Sequence, residues 1–107
     1  MRQIVQYSVE NGVVPILGTK ADRNEGGDNL NNGILRRIAA DFAIPLWDFD
    51  LLAGTIPGRG LIADGVHMTT WYAHDWSQPA AFGTGQGVHT LGGLIALDRV
   101  WRATTGE

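Results

Sequence analysis

Two short apolar runs separated by an amphipathic stretch of helical period constrain this chain most. Val13 to Thr19 is continuous and rich in aliphatic residues rather than alternating, the pattern of a strand covered on both faces. Pro15 weighs against a central place in a sheet, because proline cannot donate to the ladder. Pro45-Leu46-Trp47-Asp48-Phe49-Asp50 reads as a second strand. Between the two runs, Leu30, Ile34, Leu35, Ile38 and Phe42 recur at three and four residues, on one buried stripe of a helix. Asp28 or Asn29 is placed to cap its start. Its end falls before Pro45, since a residue preceding proline is pushed out of the helical region. Arg36, Arg37 and Asp41 lie off the stripe as solvated charges. Strand, helix, strand in that order requires a right-handed crossover and a parallel pair, so the fold class is α/β.

The flanking segments extend this reading. Ile4, Val5 and Val9 share one helical face between Gln3 and Glu10, and Asn11-Gly12 supplies a stop. Lys20 to Asp28 is a polar loop broken by glycines, leaving the C-terminal end of the first strand. Open α/β sheets contact their ligands there, which makes Lys20, Asp22 and Arg23 candidate substrate contacts, with a solvated connection as the alternative. Asp48 and Asp50 fall on one side of the second strand and read as strand-end acids with a structural role. Trp71 to Gly87 is irregular, and its aromatics either cover the core or line a pocket. Trp71 is a further candidate substrate contact. Thr90 is the expected cap of a last helix that buries Leu91, Leu94, Ile95, Leu97 and Trp101, with Arg99 and Arg102 suiting its C-terminal dipole.

Composition narrows the chemistry. A chain of 107 residues with 44% apolar content makes one small domain with a modest core. Eleven acidic against eight scattered basic residues give a net charge of −3, which argues against a nucleic-acid partner. With no cysteine there is neither a disulfide framework nor a thiolate ligand or nucleophile. The longest apolar run, Val13 to Leu17, is too short to cross a bilayer. The first residues lack the apolar core of a signal peptide, so either the chain is cytoplasmic or its true beginning lies upstream.

The most chemically suggestive stretch is Leu61-Ile62-Ala63-Asp64-Gly65-Val66-His67-Met68-Thr69. A carboxylate that accepts from one imidazole nitrogen fixes the tautomer and leaves the other nitrogen free to take a proton. Asp64 and His67 have the spacing of such an orienter and its base, and they follow the second strand toward the edge where α/β sheets place their sites. The same residues also fit a plain turn closed by a half-buried histidine. A metal site built from His67, His74 or His89 with Asp64 or Asp75 is a further alternative, although those spacings match no compact ligand pattern. The two serines, Ser8 and Ser77, do not sit in a glycine-flanked turn after a strand, where a serine nucleophile is displayed. The chain therefore carries a base and its orienter without a nucleophile.

Several segments together resemble a known family. Gly12-Val13-Val14-Pro15-Ile16-Leu17, the polar loop, Asn29-Leu30-Asn31-Asn32, Ile44-Pro45-Leu46-Trp47-Asp48 and Asp64-Gly65-Val66-His67-Met68-Thr69 resemble, in order, the C-terminal half of SGNH hydrolases, the GDSL-type esterases and lipases. The resemblance spans roughly residues 3 to 105. It implies a three-layer α/β/α fold with a parallel sheet, flavodoxin-like, present here as about two strands and three helices of a single partial domain over residues 1–107. It also implies catalytic roles for Asp64 as orienter and His67 as general base, acting on carboxylic esters of small molecules, lipids or polysaccharides without a cofactor or metal. Many members of the family are exported. The family's Gly-Asp-Ser nucleophile block and its oxyanion glycine and asparagine blocks have no counterpart in this sequence. The expectation is thus a base-bearing half whose missing part lies upstream, or a non-catalytic module that pairs with that half or self-associates through an open sheet edge.

Overall fold

The computed structural model describes residues 1–106, in the order α1 (Arg2–Glu10), β1 (Leu17–Gly18), α2 (Leu30–Phe42), β2 (Leu46–Trp47), α3 (Phe49–Ala53) and α4 (Gly85–Thr105). Two 3₁₀ turns, Pro57–Gly60 and Pro79–Gly83, fill the connection between α3 and α4. The described residues form a small α/β fold with four α-helices and two parallel strands. Leu17 lies opposite Leu46 and Gly18 opposite Trp47. The pairing is extended at its ends by Leu17 N–H donating to Pro45 O at 3.1 Å and Thr19 N–H donating to Trp47 O at 3.0 Å.

Both strands are shorter than the apolar runs that announce them. Val13 and Val14 are exposed, and Pro15 has no N–H to offer a ladder. The second run stops early for a different reason. Asp48 turns the chain into α3, its Oδ1 accepting from Leu51 N–H at 3.4 Å, so Asp50 is helical rather than the end of a strand. The five residues of α3 are too few to show a helical period in the sequence.

Successive strand side chains point to opposite faces. Leu17 and Leu46 join Val5 of α1 and Ile38 and Ala39 of α2 in one apolar cluster, with Leu35, Phe42 and Ile44 packed against it. Trp47 belongs to a second cluster with Phe49, Ala53 and Ile56, to which Val88 of α4 contributes. The Trp47 ring is seated against two glycines of α4. A Cβ on Gly93 would lie 2.9 Å from Trp47 Cη2, and one on Gly92 would lie 3.1 Å from its Nε1.

Several helical expectations are corrected. In α2, Ile38 is buried and Leu35 and Phe42 are half-buried, but Leu30 and Ile34 are exposed and Asn32 is buried instead. Asn29 precedes α2 in a left-handed conformation and makes no side-chain cap, because its amide is used elsewhere. The last helix begins at Gly85, capped by Thr84 rather than Thr90, with Gly87 N–H donating to Thr84 Oγ1 at 3.1 Å. Glycines at 85 and 87 disguised that start as loop. Their reason is proximity: a Cβ on Gly85 would lie 2.1 Å from the carbonyl oxygen of Gly60. Leu94, Ile95, Leu97 and Trp101 are exposed, not buried, because α4 packs through its N-terminal half.

Arg36, expected to be a solvated charge, is tied into the fold. Asp50 is 1% exposed and receives Arg23 Nε at 2.8 Å, Arg36 Nη2 at 2.8 Å, Asn29 Nδ2 at 2.9 Å and the guanidinium of Arg59. Arg36 also bonds both carboxylate oxygens of Asp48. Burial pushes the Asp50 carboxyl up, but the hydrogen bonds from Arg23, Arg36 and Asn29 outweigh it, and the net displacement is downward. A carboxyl that titrates lower in the folded chain than in the unfolded one stabilises fully above about pH 4, and that contribution disappears as the pH falls.

Two expectations follow. Asp50→Asn costs about 2–4 kcal/mol in urea unfolding at neutral pH, below the full cost of a broken buried pair because Arg23 and Arg36 remain partly hydrated. The gap to the parent chain narrows as the pH is lowered from about 5 to 2. Gly85→Ala destabilises by about 2 kcal/mol or more through its clash with the Gly60 backbone. Gly33→Ala, in α2 with nothing within 4 Å, is neutral or gains up to about 1 kcal/mol in the same assay.

Candidate functional site

The segment from Gly60 to Thr69 is a tight excursion whose two ends are clamped together and then fastened to α4. Leu61 and Met68 form an antiparallel bridge, and Ile62 N–H donates to His67 O at 2.8 Å. Thr69 N–H and Oγ1 both donate to Gly60 O, at 2.8 and 3.2 Å. Gly85 N–H donates to Thr69 Oγ1 at 2.7 Å, and Gln86 N–H to Thr69 O at 2.9 Å. Gly65 turns the tip with φ +71°, a conformation that suits glycine. Asn24 Nδ2 donates to Gly65 O at 3.0 Å, joining the loop after β1 to this tip.

Within the excursion, Asp64 uses both carboxylate oxygens. Oδ1 accepts from the backbone N–H of Val66 at 2.9 Å and of His67 at 3.0 Å, while Oδ2 lies 2.6 Å from His67 Nδ1. The two backbone bonds hold the carboxylate in one orientation before the imidazole is considered. The Asp64 carboxyl is lowered to about 2, first by the His67 ring and then by the backbone N–H groups of His67 and Val66. An ionised carboxylate can only accept, so Nδ1 carries the proton of this bond. Nε2 then keeps its lone pair in the neutral ring and makes no hydrogen bond among the described residues. The pair is open to solvent, with the His67 side chain 78% and the Asp64 side chain 42% exposed. The arrangement orients the imidazole and leaves one ring nitrogen open to solvent.

Beside this loop lies a cavity of about 210 Å³. Its apolar lining is Ala21, Phe49, Leu61, Val66 and Met68, and its polar lining is Thr19, Lys20, Asp22 and His89. Two of the candidate contacts, Lys20 and Asp22, are therefore brought to the cavity, and Val66 connects its wall to His67. Trp71 does not line it. That residue is held by its backbone N–H to Gln86 Oε1 at 2.7 Å, and its buried Nε1 has no partner among the described residues.

Other arrangements place the loop after β1. Asn32 reaches out of α2 to accept from Lys20 N–H and donate to Lys20 O, both at 2.8 Å. The ammonium of Lys20 is paired with Glu25 at 3.0 Å and Asp22 at 3.3 Å, and these bonds raise its pKa. From its spacing alone, His89 is a candidate only as a metal ligand. Here it stands 4.3 Å from the Trp47 ring and 4.8 Å from the Phe49 ring, between centroids, and burial lowers its pKa. No spacing in the sequence links positions 19–22, 49, 61–68 and 89.

The remaining candidates are dispersed. Ser8 Oγ donates to Ile4 O at 2.9 Å inside α1, and Ser77 Oγ donates to Asp75 at 2.6 Å. Neither approaches as a partner of His67. Among the described residues no three histidine, aspartate or glutamate side chains converge in a way that could hold a metal ion. His67, His74 and His89 instead face Asp64, Trp76 and the Trp47–Phe49 pair respectively. No helix among the described residues is long and apolar enough to cross a membrane. Comparison with known protein families, with curated proteins and with solved structures found no match.

At mildly alkaline pH, nitrogen NMR is expected to find neutral His67 predominantly with its proton on Nδ1. Asp64→Asn is expected to shift it toward the Nε2-protonated form favoured in free imidazole side chains, because the charged acceptor is lost. Carboxyl carbon shifts followed through acid titration are expected to place Asp64 near 2 rather than the ordinary 3.9.

Proposed function

We propose that this chain is the base-bearing part of a serine ester hydrolase of the SGNH type, in which the parallel strand pair belongs to a three-layer α/β/α domain. One observation carries the reading: Asp64 is fixed by two backbone N–H groups and holds His67 through Nδ1, which leaves Nε2 exposed and without a partner among the described residues. In a plain turn the Asx bonds alone would suffice. The additional 2.6 Å contact and the open Nε2 are what general-base catalysis requires.

The chemistry then has two steps. A serine supplied from outside these 107 residues attacks the ester carbonyl while His67 Nε2 takes its proton. The tetrahedral intermediate collapses to an acyl-serine, and the proton passes from His67 to the departing alcohol. Water enters in the second step, loses a proton to Nε2, and releases the carboxylic acid as the serine regains its hydrogen. Asp64 stays ionised throughout and stabilises the imidazolium formed in each step. A positioned general base of this kind contributes about 10²–10⁴-fold in rate.

A second reading draws on the surface of α4. Leu94, Leu97 and Trp101 recur at three and four residues on its exposed side, with Asp98 beside them. A non-catalytic module that self-associates through this stripe would account for it, and the hydrolase reading covers the same stripe with the rest of the domain.

The reading frame upstream of Met1 separates the two. An in-frame segment encoding a strand, a Gly-Asp-Ser turn and a later asparagine-bearing loop is expected, and an immediate upstream stop codon would overturn the hydrolase reading. The 107-residue chain alone is expected to give no burst of product from an activated ester. A burst abolished by His67→Ala would place the nucleophile inside the chain. Under the second reading, sedimentation of the 107-residue chain reports a concentration-dependent dimer that Trp101→Asp dissolves.

A further inference from the structure

We infer that the outer edge of β2 is a docking site for an extended peptide segment of a partner protein, one that carries an apolar residue and an acidic residue two positions apart. The site is independent of the Asp64–His67 pair and of the exposed stripe on α4.

The backbone supplies the first requirement. In a parallel pair, alternate residues of a strand turn their N–H and C=O toward the neighbouring strand. Leu17 N–H donates to Pro45 O and Thr19 N–H to Trp47 O, so Pro45 and Trp47 face β1 while Leu46 turns its N–H and C=O the other way. The described sheet has only β1 and β2, and neither Leu46 N–H nor Asp48 N–H finds a partner among the described residues. Donor, acceptor and second donor therefore stand in a row along an open edge. An extended chain presents its own amide and carbonyl groups at the matching spacing and adds to such an edge as a further strand.

The side chains supply the second requirement. The edge opens into a cleft formed by Leu51 and Leu52 of α3 and by Ile95, Ala96 and Arg99 of α4. Leu51 and Ile95 are exposed. At about 100° per residue, Ile95, Ala96 and Arg99 lie on the side of α4 opposite Leu94, Leu97 and Trp101. A strand added to β2 sends every second side chain toward this cleft. An apolar one meets Leu51 and Ile95. The next on that side meets a cation without a partner: Asp48 is engaged by Arg36 and Asp98 by Arg102, while Arg99 has no ion pair among the described residues. An acidic side chain matches it. A second copy of this chain does not supply that pattern. The cleft-facing side chain of its β2 would be Trp47, already seated against Gly92 and Gly93 of its own α4, and Asp48 points to the other face.

The pentapeptide acetyl-Thr-Leu-Thr-Glu-Thr-amide, titrated into the 107-residue chain and followed by nitrogen NMR and amide hydrogen exchange, tests the assignment. In the free chain, Leu46 and Asp48 N–H are expected to exchange faster than Leu17 and Thr19 N–H, which the strand pair holds. The peptide is expected to slow exchange at Leu46 and Asp48 and to shift the signals of Ile95 and Arg99 Nε. Replacing its glutamate by glutamine is expected to weaken binding about threefold, the worth of one exposed ion pair. Methylating the three central peptide nitrogens is expected to abolish binding, and Arg99→Gln to bind the glutamate and glutamine peptides equally. Leu46 and Asp48 amides as protected in the free chain as Thr19, no slowing with peptide, or equal affinity of the parent chain for both peptides would overturn the inference. Protection of Leu46 that grows with chain concentration in the absence of peptide would assign the edge to a second copy and overturn it as well. His67→Ala is expected to leave peptide binding unchanged, so failure of the base assignment is distinguishable from failure of this site.

Discussion

A single buried carboxylate, Asp50, fastens three segments of the chain to the start of α3. Arg23 comes from the loop after β1, Asn29 from the start of α2, Arg36 from the middle of α2 and Arg59 from the 3₁₀ turn after α3. Arg59 also donates to the carbonyls of Ala21 and Asp50, which holds its backbone in a left-handed conformation that an arginine rarely adopts. The apolar clusters are small and the strands contribute two residues each. In so thin a core, the burial of one acid among three guanidinium groups decides where the loops go. The arrangement holds because each charge is met; an unmatched carboxylate at that depth would cost several kcal/mol.

That anchoring reaches the candidate site through two routes. The Arg59 contacts fix the turn that ends at Gly60, and Gly60 accepts both bonds from Thr69, closing the excursion that carries Asp64 and His67. From the other side, Asn32 holds Lys20 and Asn24 holds Gly65, so the loop after β1 is pinned along the same excursion. The start of α4 completes the enclosure by approaching Gly60 more closely than any side chain would allow. The pair is thus exposed in its side chains while the backbone that carries it is hydrogen-bonded at both ends of the excursion.

The cavity and the apolar stripe of α4 pose different physical problems. The cavity is small, mixed in polarity and framed by segments the Asp50 network holds in place. The stripe of Leu94, Leu97 and Trp101 is open and apolar along a helix that packs only at its other end. Its amphipathic period, which on the sequence reads as a buried face, has no protein opposite it in the described chain. The hydrophobic pattern records a preference for burial, and the partner that would satisfy it is not written in the pattern.

Periodicity and local chemistry were enough for α1, the span of α2, the parallel crossover and the Asp64–His67 pair, because each depends on residues within a turn or two of one another. The pair in particular is closed by bonds between neighbours, so its geometry is implied by its spacing. Tertiary contacts decided the rest. Asp48 ended β2 by capping α3, Asn29 gave its side chain to Asp50 instead of to a cap, and Arg36 left solvent for two aspartates. The early start of α4 hinged on a backbone at position 60 that accepts no side chain at 85. The cavity, with His89 brought beside residues from three other stretches, follows from packing over long sequence separation, which no local pattern encodes.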